Sequence, residues 1–180
     1  MPYSSIAPEI MEEMRTNRGE VLRDLSYTQP LMLVFLRQFG CTFCREALTD
    51  IAGKRKEIES LGMQLVFVHM ADTEIADRYF RRYDLEGVTH ISDPGCTYYK
   101  AFGLIKNTIT QLFGLQFFMR GFQAAVIEGH VPGPSLGDDF QMPGIFIIQE
   151  GEIRESFIHK LAYDRPNYLE LAKCCSIPSI

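Results

Sequence analysis

The order of strand-like and helix-like segments predicts an α/β fold, a central sheet with helices on both of its faces. The segments alternate as β-α-β-α-β, a long excursion follows at residues 105–142, and the chain closes as β-β-α. The early strands are unbroken apolar runs, a pattern typical of strands buried on both faces. Strands that alternate with helices indicate a sheet whose two faces are covered.

The first strands and the helix between them have clear boundaries. An apolar run lies between Pro30 and Gly40, and apolar residues then recur at helical spacing over residues 48–61. Gly62 ends this helical pattern, and the run MQLVFVHM, residues 63–70, predicts the second buried strand.

A second helix and a short third strand follow. The stretch at residues 72–87 predicts a helix that Asp72 caps and Gly87 ends. Residues 90–104 predict a short strand, a turn at Asp93-Pro94-Gly95 and one helical turn.

The C-terminal part predicts a hairpin and a helix. Residues 145–159 are two β-rich runs joined across residues 149–151, and the last helix lies near residues 167–174. The excursion before them is long enough to be functional or partly folded by itself. It is rich in phenylalanine, which favours a helix packed on the sheet, with a lid or a dimer surface near the active site as the alternative.

Length and composition indicate one domain of 180 residues with an apolar fraction of 46%. A net charge of −5 argues against nucleic acid and anionic membranes as partners, since both attract basic surfaces. No apolar run is long enough to span a bilayer, and the N-terminus lacks signal-peptide features. We therefore expect a cytoplasmic protein, where paired cysteines are usually metal ligands or redox-active.

The sequence Cys41-Thr42-Phe43-Cys44 stands where the first strand meets the first long helix. A cysteine at a helix N-terminus is stabilised as a thiolate, and a second cysteine one turn later can attack a mixed disulfide. Zinc sites use the same spacing, so the motif leaves redox chemistry, metal binding and a purely structural role open. The junction of strand and helix favours redox chemistry, with Cys41 as the more acidic thiol.

Three features together resemble the thioredoxin superfamily: the Cys-x-x-Cys motif, Pro143 before a strand, and the final hairpin and helix. The segment SDPGCTYYKAFGL resembles peroxiredoxins, and the chain is most similar to the peroxiredoxin-like (AhpC/TSA-related) branch over residues 31–174. The resemblance implies a thioredoxin-like fold with a central mixed sheet. It also implies catalytic roles for Cys41 and Cys44 and substrate-binding roles for Thr42, Phe43, Met142 and Pro143, with no cofactor and no metal.

The chain departs from the family pattern at three places. The Pro-x-x-x-Thr-x-x-Cys motif of peroxiredoxins does not align on either cysteine, and Pro143 occupies the place of their peroxide-binding arginine. Phe35 occupies the place of the buried aspartate of thioredoxins. By the same resemblance we expect the Met142–Pro143 bond to be cis, which would favour disulfide exchange over peroxide reduction.

Three functions follow, in order of preference. The first is a thiol–disulfide oxidoreductase of peroxiredoxin-like type, acting in redox homeostasis on protein or small-molecule disulfides. The second is a Cys-x-x-Cys thiol peroxidase that reduces hydroperoxides. Both need a thiol reductant as partner, and a homodimer is compatible with either. The third is a non-enzymatic protein in which Cys41, Cys44, Cys174 and Cys175 bind zinc or are structural.

The remaining cysteines and the histidines carry weaker signals. Cys96 is predicted to be a small buried residue, and the Cys174-Cys175 pair to be exposed and incidental. The four histidines show no metal-ligand spacing and are interpreted as ordinary polar residues, and only His69, at a strand end, is a candidate for a role.

Overall fold

A computed structural model describes residues 8–104, 106, 141–160 and 164–175 of the chain. In this part of the chain, strands pair into a five-stranded mixed sheet with the order β3-β2-β1-β4-β5. The strands are β1 (Leu31–Phe35), β2 (Gln64–His69), β3 (Thr89–Ser92), β4 (Gly144–Gln149) and β5 (Glu152–Ile158). β1 pairs with β2 in parallel and with β4 antiparallel, so the mixed sheet implied by the resemblance is confirmed.

Helices cover both faces of this sheet. They are α1 (Pro8–Glu13), α2 (Leu22–Thr28), α3 (Thr42–Ser60), α4 (Thr73–Arg82), α5 (Thr97–Ala101) and α6 (Tyr168–Lys173). Apolar residues of α3, α4 and α6 form one core, and those of α1, α2 and α5 form the other. The predicted α/β fold with two covered faces is thereby confirmed.

The central strand β1 contributes to both cores. All five of its residues are buried. Met32 and Val34 point into the core of α3, whereas Leu31, Leu33 and Phe35 point into the core of α1 and α5. Successive side chains of a strand point to opposite faces, so a strand buried on both faces must be apolar throughout.

The hairpin between β4 and β5 turns at Glu150 and Gly151. Both residues have positive φ, 55° and 74°, which is the conformation of a two-residue turn matched to the twist of the strands. Ser26 of α2 accepts hydrogen bonds from both turn amides. Glu150 N donates to its carbonyl oxygen, and Gly151 N donates to its hydroxyl oxygen. The hairpin predicted across residues 149–151 is confirmed.

The N-terminal helices α1 and α2 were not predicted from the sequence, because each is only six or seven residues long and shows little periodicity. Most of the aromatic excursion lies outside the described residues, so its packing on the sheet stays a prediction. Its two ends do meet, since Lys106 and Gln141 form an isolated antiparallel bridge. No helix in the described ranges is long and apolar enough to cross a membrane.

Candidate active site

The two cysteines of the motif lie at the start of α3, directly after the loop that leaves β1. Cys41 is the N-cap residue with extended backbone, and Cys44 is in the first turn of the helix. Both are buried, with exposed fractions of 9% and 4%, and neither forms a disulfide. The helix start predicted at Cys41 is therefore confirmed.

The loop between β1 and α3 is held by its own polar groups. The Gln38 side chain accepts a hydrogen bond from Gly40 N at 2.6 Å, and Arg45 Nε donates to the Phe39 carbonyl at 2.9 Å. The Phe39 ring stacks on Tyr79 of α4, with 4.8 Å between centroids. These contacts fix the backbone on both sides of the cysteines.

Two donors from this loop reach the sulfur atoms. Arg37 Nη1 donates to Cys41 Sγ at 3.5 Å, and Gln38 N donates to Cys44 Sγ at 3.4 Å. Arg37 is buried, with 6% of its surface exposed. A buried guanidinium acts on a neighbouring sulfur more strongly than an exposed one, because little water screens its charge.

The two thiols have pKa values shifted in opposite directions. A hydrogen bond from Cys44 and the charge of Arg37 lower the pKa of Cys41 to about 6, although burial acts against them. Burial raises the pKa of Cys44 well above its ordinary value. At neutral pH the pair is thus a Cys41 thiolate and a Cys44 thiol. Cys41 is the more acidic of the two, as its position at the helix start predicts.

A small pocket opens beside the cysteines, with a cavity volume of about 30 Å³. Its lining includes Cys41, Phe43, Cys44, Pro143, His159 and Tyr168. Charged residues at its edge are Arg37, Glu46, Asp50, Asp164 and Arg165. Such a volume accommodates about one water-sized group.

Four of the six predicted site residues line this pocket: Cys41, Phe43, Cys44 and Pro143. Thr42 and Met142 are buried beside it, 8% and 1% exposed, and are not among the described residues that line it. Their predicted contact with substrate remains untested.

The expected cis bond is wrong. No peptide bond within the described residues is cis, and Met142–Pro143 is among those described. Cis and trans X–Pro bonds differ by only about 0.5–1 kcal/mol, so surrounding structure decides between them and local sequence does not. The geometric reason for preferring disulfide exchange over peroxide reduction is lost with it.

The sequence analysis interpreted His159 as an ordinary polar residue and missed its place at the pocket. The residue follows β5 directly, and Gly144 pairs with Ile158 in the hairpin, so Pro143 and His159 are the next residues along their strands. Both line the pocket. Counting the antiparallel register outward from the turn would pair Pro143 with Ile158, and the register shift between Ile147 and Ile148 moves His159 to that place.

The other cysteines behave differently from the pair. Cys96 is buried, as predicted, and its sulfur lies 3.2 Å from Met70 Sδ. The sulfurs of Cys174 and Cys175 lie 3.3 Å apart at the end of α6, and burial raises the pKa of Cys174 to about 12. The part of the chain that the structure describes holds no cluster of three or more metal-ligating side chains, so the four-cysteine zinc hypothesis has no ligand set there.

A chain of histidines lies behind Phe39, on the side of α4. His69 Nε2 and His90 Nδ1 are 2.8 Å apart, and His90 Nε2 is 3.0 Å from Asp77 Oδ1. Burial lowers the pKa of His69 to about 3, and it also lowers that of His90. These imidazoles are therefore neutral and contribute to packing at neutral pH.

Comparison with known proteins places these features in context. The AhpC/TSA family matches residues 6–156. Among curated proteins, the prostamide/prostaglandin F synthase of Danio rerio is 27% identical over 172 residues, which is 90% of this chain and 83% of that protein. The chloroplastic thioredoxin-like protein AAED1 of Arabidopsis thaliana is 24% identical, over 86% of this chain and 65% of that protein.

Several solved structures with a similar fold are peroxiredoxins. Reduced Prx3 of Vibrio vulnificus in complex with H2O2 superposes with a TM-score of 0.66 and 12% identity, over 97% of this chain and 98% of that one. Peroxiredoxin 6 of Arenicola marina, in a cysteine-to-serine mutant form, has a TM-score of 0.63 and 13% identity, over 96% and 70% of the two chains.

Proposed function

The chain belongs to the AhpC/TSA family and is a peroxiredoxin-like oxidoreductase, and we propose that it reduces peroxides through the pair Cys41 and Cys44. The observation that carries this proposal is the buried contact, 3.5 Å, between Arg37 and the Cys41 sulfur in the pocket that both residues line. It supports a thiolate at neutral pH, and the thiolate is the nucleophilic form of cysteine.

The first step is attack of the Cys41 thiolate on the O–O bond of a peroxide. A bond forms between Cys41 Sγ and one oxygen, the O–O bond breaks, and the departing alkoxide or hydroxide takes up a proton. Cys41 becomes a sulfenic acid. The positive charge of Arg37 lies where negative charge passes from sulfur to oxygen, and such fixed charges are worth most in a site that excludes water.

The second step closes the disulfide. Cys44 loses its proton and attacks Cys41 Sγ, the S–O bond breaks, and water leaves. An external dithiol then returns both cysteines to thiols and is itself oxidised to a disulfide. Since Cys44 is one turn from Cys41, the closure needs little movement of α3.

The pocket beside the cysteines has a cavity volume of about 30 Å³, which suits a peroxide group. The relative from Danio rerio is named for prostaglandin F synthesis, so a lipid of the prostaglandin type belongs among the substrates to be tested beside hydrogen peroxide.

Disulfide exchange, the first preference from the sequence, is now the second candidate. The observation that favours it is the placement of Cys41 as N-cap and Cys44 one turn later, the arrangement that dithiol exchange also uses. The chemistry would be the same pair attacking sulfur instead of oxygen.

Mass spectrometry of the variants tests the proposal. After one equivalent of peroxide, we expect the natural protein to lose two hydrogen atoms. The Cys44→Ser variant should gain one oxygen atom that dimedone traps on Cys41, and Cys41→Ser should not react. Parallel assays of hydroperoxide consumption and insulin reduction, with dithiothreitol as reductant, distinguish the two candidates. Faster turnover of insulin would reverse their order.

A further inference from the structure

The closing step of the proposed reaction requires a base. Cys44 must lose a proton before it attacks, yet its thiol is buried and holds that proton tightly. Phe35, which stands where thioredoxins have an aspartate, cannot accept it. Its ring packs among Tyr99, Phe102 and Phe146, at centroid distances of 4.9–5.7 Å.

His159 lines the same small pocket as Cys44. Its Nδ1 is enclosed and makes no hydrogen bond to any residue that the structure describes. His159 directly follows β5, and the pairing of β5 with β4 places it beside Pro143. The Phe157 ring contacts its imidazole edge to face, with 5.0 Å between ring centroids. A buried polar atom without a partner costs free energy, so its retention calls for an explanation.

The carboxylates around the pocket are engaged elsewhere. Glu46 forms an ion pair with Arg165, and Asp50 lies 3.5 Å from the same guanidinium. Asp164 accepts a hydrogen bond from the backbone of Lys160 at 2.8 Å. These three carboxylates therefore have partners of their own, whereas Nδ1 of His159 has none among the described residues.

We propose that His159 accepts the proton of Cys44 during disulfide closure and passes it to the oxygen that leaves Cys41. This role rests on the proposed function. The S–H bond of Cys44 breaks toward the imidazole, the S–S bond forms, the S–O bond breaks, and the imidazolium protonates the departing hydroxide to water. Cys41, Cys44 and His159 all line the pocket in which this transfer takes place.

The protonation state of His159 suits this role. Burial lowers its pKa to about 4, although the charge of Asp164 and hydrogen bonds to the backbones of Pro143 and Asp164 act against it, so the imidazole is neutral at pH 7. The same shift makes the imidazole a weaker base and the imidazolium a stronger acid toward the leaving oxygen. The other titratable or charged groups that line the pocket with the two cysteines are Arg37, Glu46, Asp50, Asp164, Arg165 and Tyr168.

Rapid quenching with an alkylating reagent, after one equivalent of hydrogen peroxide, separates the two steps by intact mass. In His159→Gln we expect Cys41 sulfenic acid to form at the natural rate, within about twofold. Closure of the disulfide should be slower by roughly 10²-fold, the usual contribution of a general base. Lys160→Gln, an exposed neighbour, is the matched control and should close at the natural rate.

Two further measurements separate proton transfer from a structural role. Added imidazole should speed closure in His159→Ala but not in the natural protein. Closure in the natural protein should be nearly independent of pH between about 6 and 8, whereas in His159→Gln it should rise about tenfold per pH unit as Cys44 ionises. Closure within twofold of natural, or an unchanged pH profile, overturns the inference. A natural protein that forms sulfenic acid but no disulfide would instead refute the proposed function.

Discussion

Arg37 Nη1 lies 3.5 Å from Cys41 Sγ, and both side chains are buried. The two residues are four positions apart, on either side of a loop whose shape is fixed by Gln38 and by the contact of Arg45 with Phe39. The guanidinium is thus positioned by the backbone that carries the thiol. An opposite charge this close typically shifts a pKa by about one unit or more.

Replacing Arg37 by glutamine should raise the pKa of Cys41 by about one unit, because the charge that favours the thiolate is removed. The rate of Cys41 alkylation by iodoacetamide, followed against pH in a Cys44→Ser background, measures this value. Arg37→Lys keeps the positive charge but not the planar guanidinium, so the pKa of Cys41 in this variant should lie between those of the natural protein and Arg37→Gln. An unchanged pKa in Arg37→Gln would mean that the thiolate does not depend on this contact.

The hydrogen bond from Cys44 is the largest cause of the low pKa of Cys41. Cys44→Ser keeps a donor at this position and should leave Cys41 acidic, whereas Cys44→Ala removes the donor and should raise the pKa of Cys41. Alkylation of Cys41 against pH compares the two variants directly. Equal values in serine and alanine would show that Arg37 and the helix start are sufficient.

The placement of the cysteine pair could be predicted from sequence because it depends on local order. An apolar strand, a short loop and a helical pattern put Cys41 at a helix start whatever the rest of the chain does. The place of His159 depends on the register of β4 and β5, and the identity of its neighbours depends on α6, which is far away in sequence from the cysteines. The trans bond before Pro143 is likewise set by tertiary structure.

The pair His69 and His90 should make stability depend on pH. Burial lowers the pKa of His69 to about 3, so the unfolded chain binds its proton at higher pH than the folded chain. The stabilisation is complete above about pH 6.5 and is lost as pH falls toward 3, at up to about 1.4 kcal/mol per pH unit. Above pH 7 the titration of His69 should not change the free energy of unfolding.

Urea unfolding at pH 4, 5, 6 and 7 tests this dependence. The free energy of unfolding of His69→Gln should fall less steeply with decreasing pH than that of the natural protein, since one titrating group is removed. Carboxylates also titrate in this range, so the difference between the two proteins is the quantity to compare. Parallel curves would show that folding does not lower the pKa of His69.

Tyr99 links α5 to the end of β1, next to the cysteine loop. Its hydroxyl donates to the carbonyl of Leu36, and it lies 3.1 Å from that of Val68. The Val68 carbonyl also accepts a hydrogen bond from Leu36 N. Among the hydrogen bonds described, the Leu36 carbonyl is therefore the acceptor that has the tyrosine hydroxyl as its only donor. The ring is fully buried and contacts Phe35 edge to face at 5.0 Å.

Tyr99→Phe should therefore lower the free energy of unfolding by about 1–3 kcal/mol, because it leaves a buried carbonyl without its donor while the packing of the ring is kept. Tyr98→Phe is the matched control. The Tyr98 hydroxyl reaches the Glu13 carbonyl at 3.4 Å in an exposed position, so its loss should cost less than about 0.5 kcal/mol. Urea unfolding at pH 7 measures both variants. A loss in Tyr99→Phe no greater than in Tyr98→Phe would mean that water replaces the hydroxyl at Leu36, and that the start of the cysteine loop is held by its own contacts.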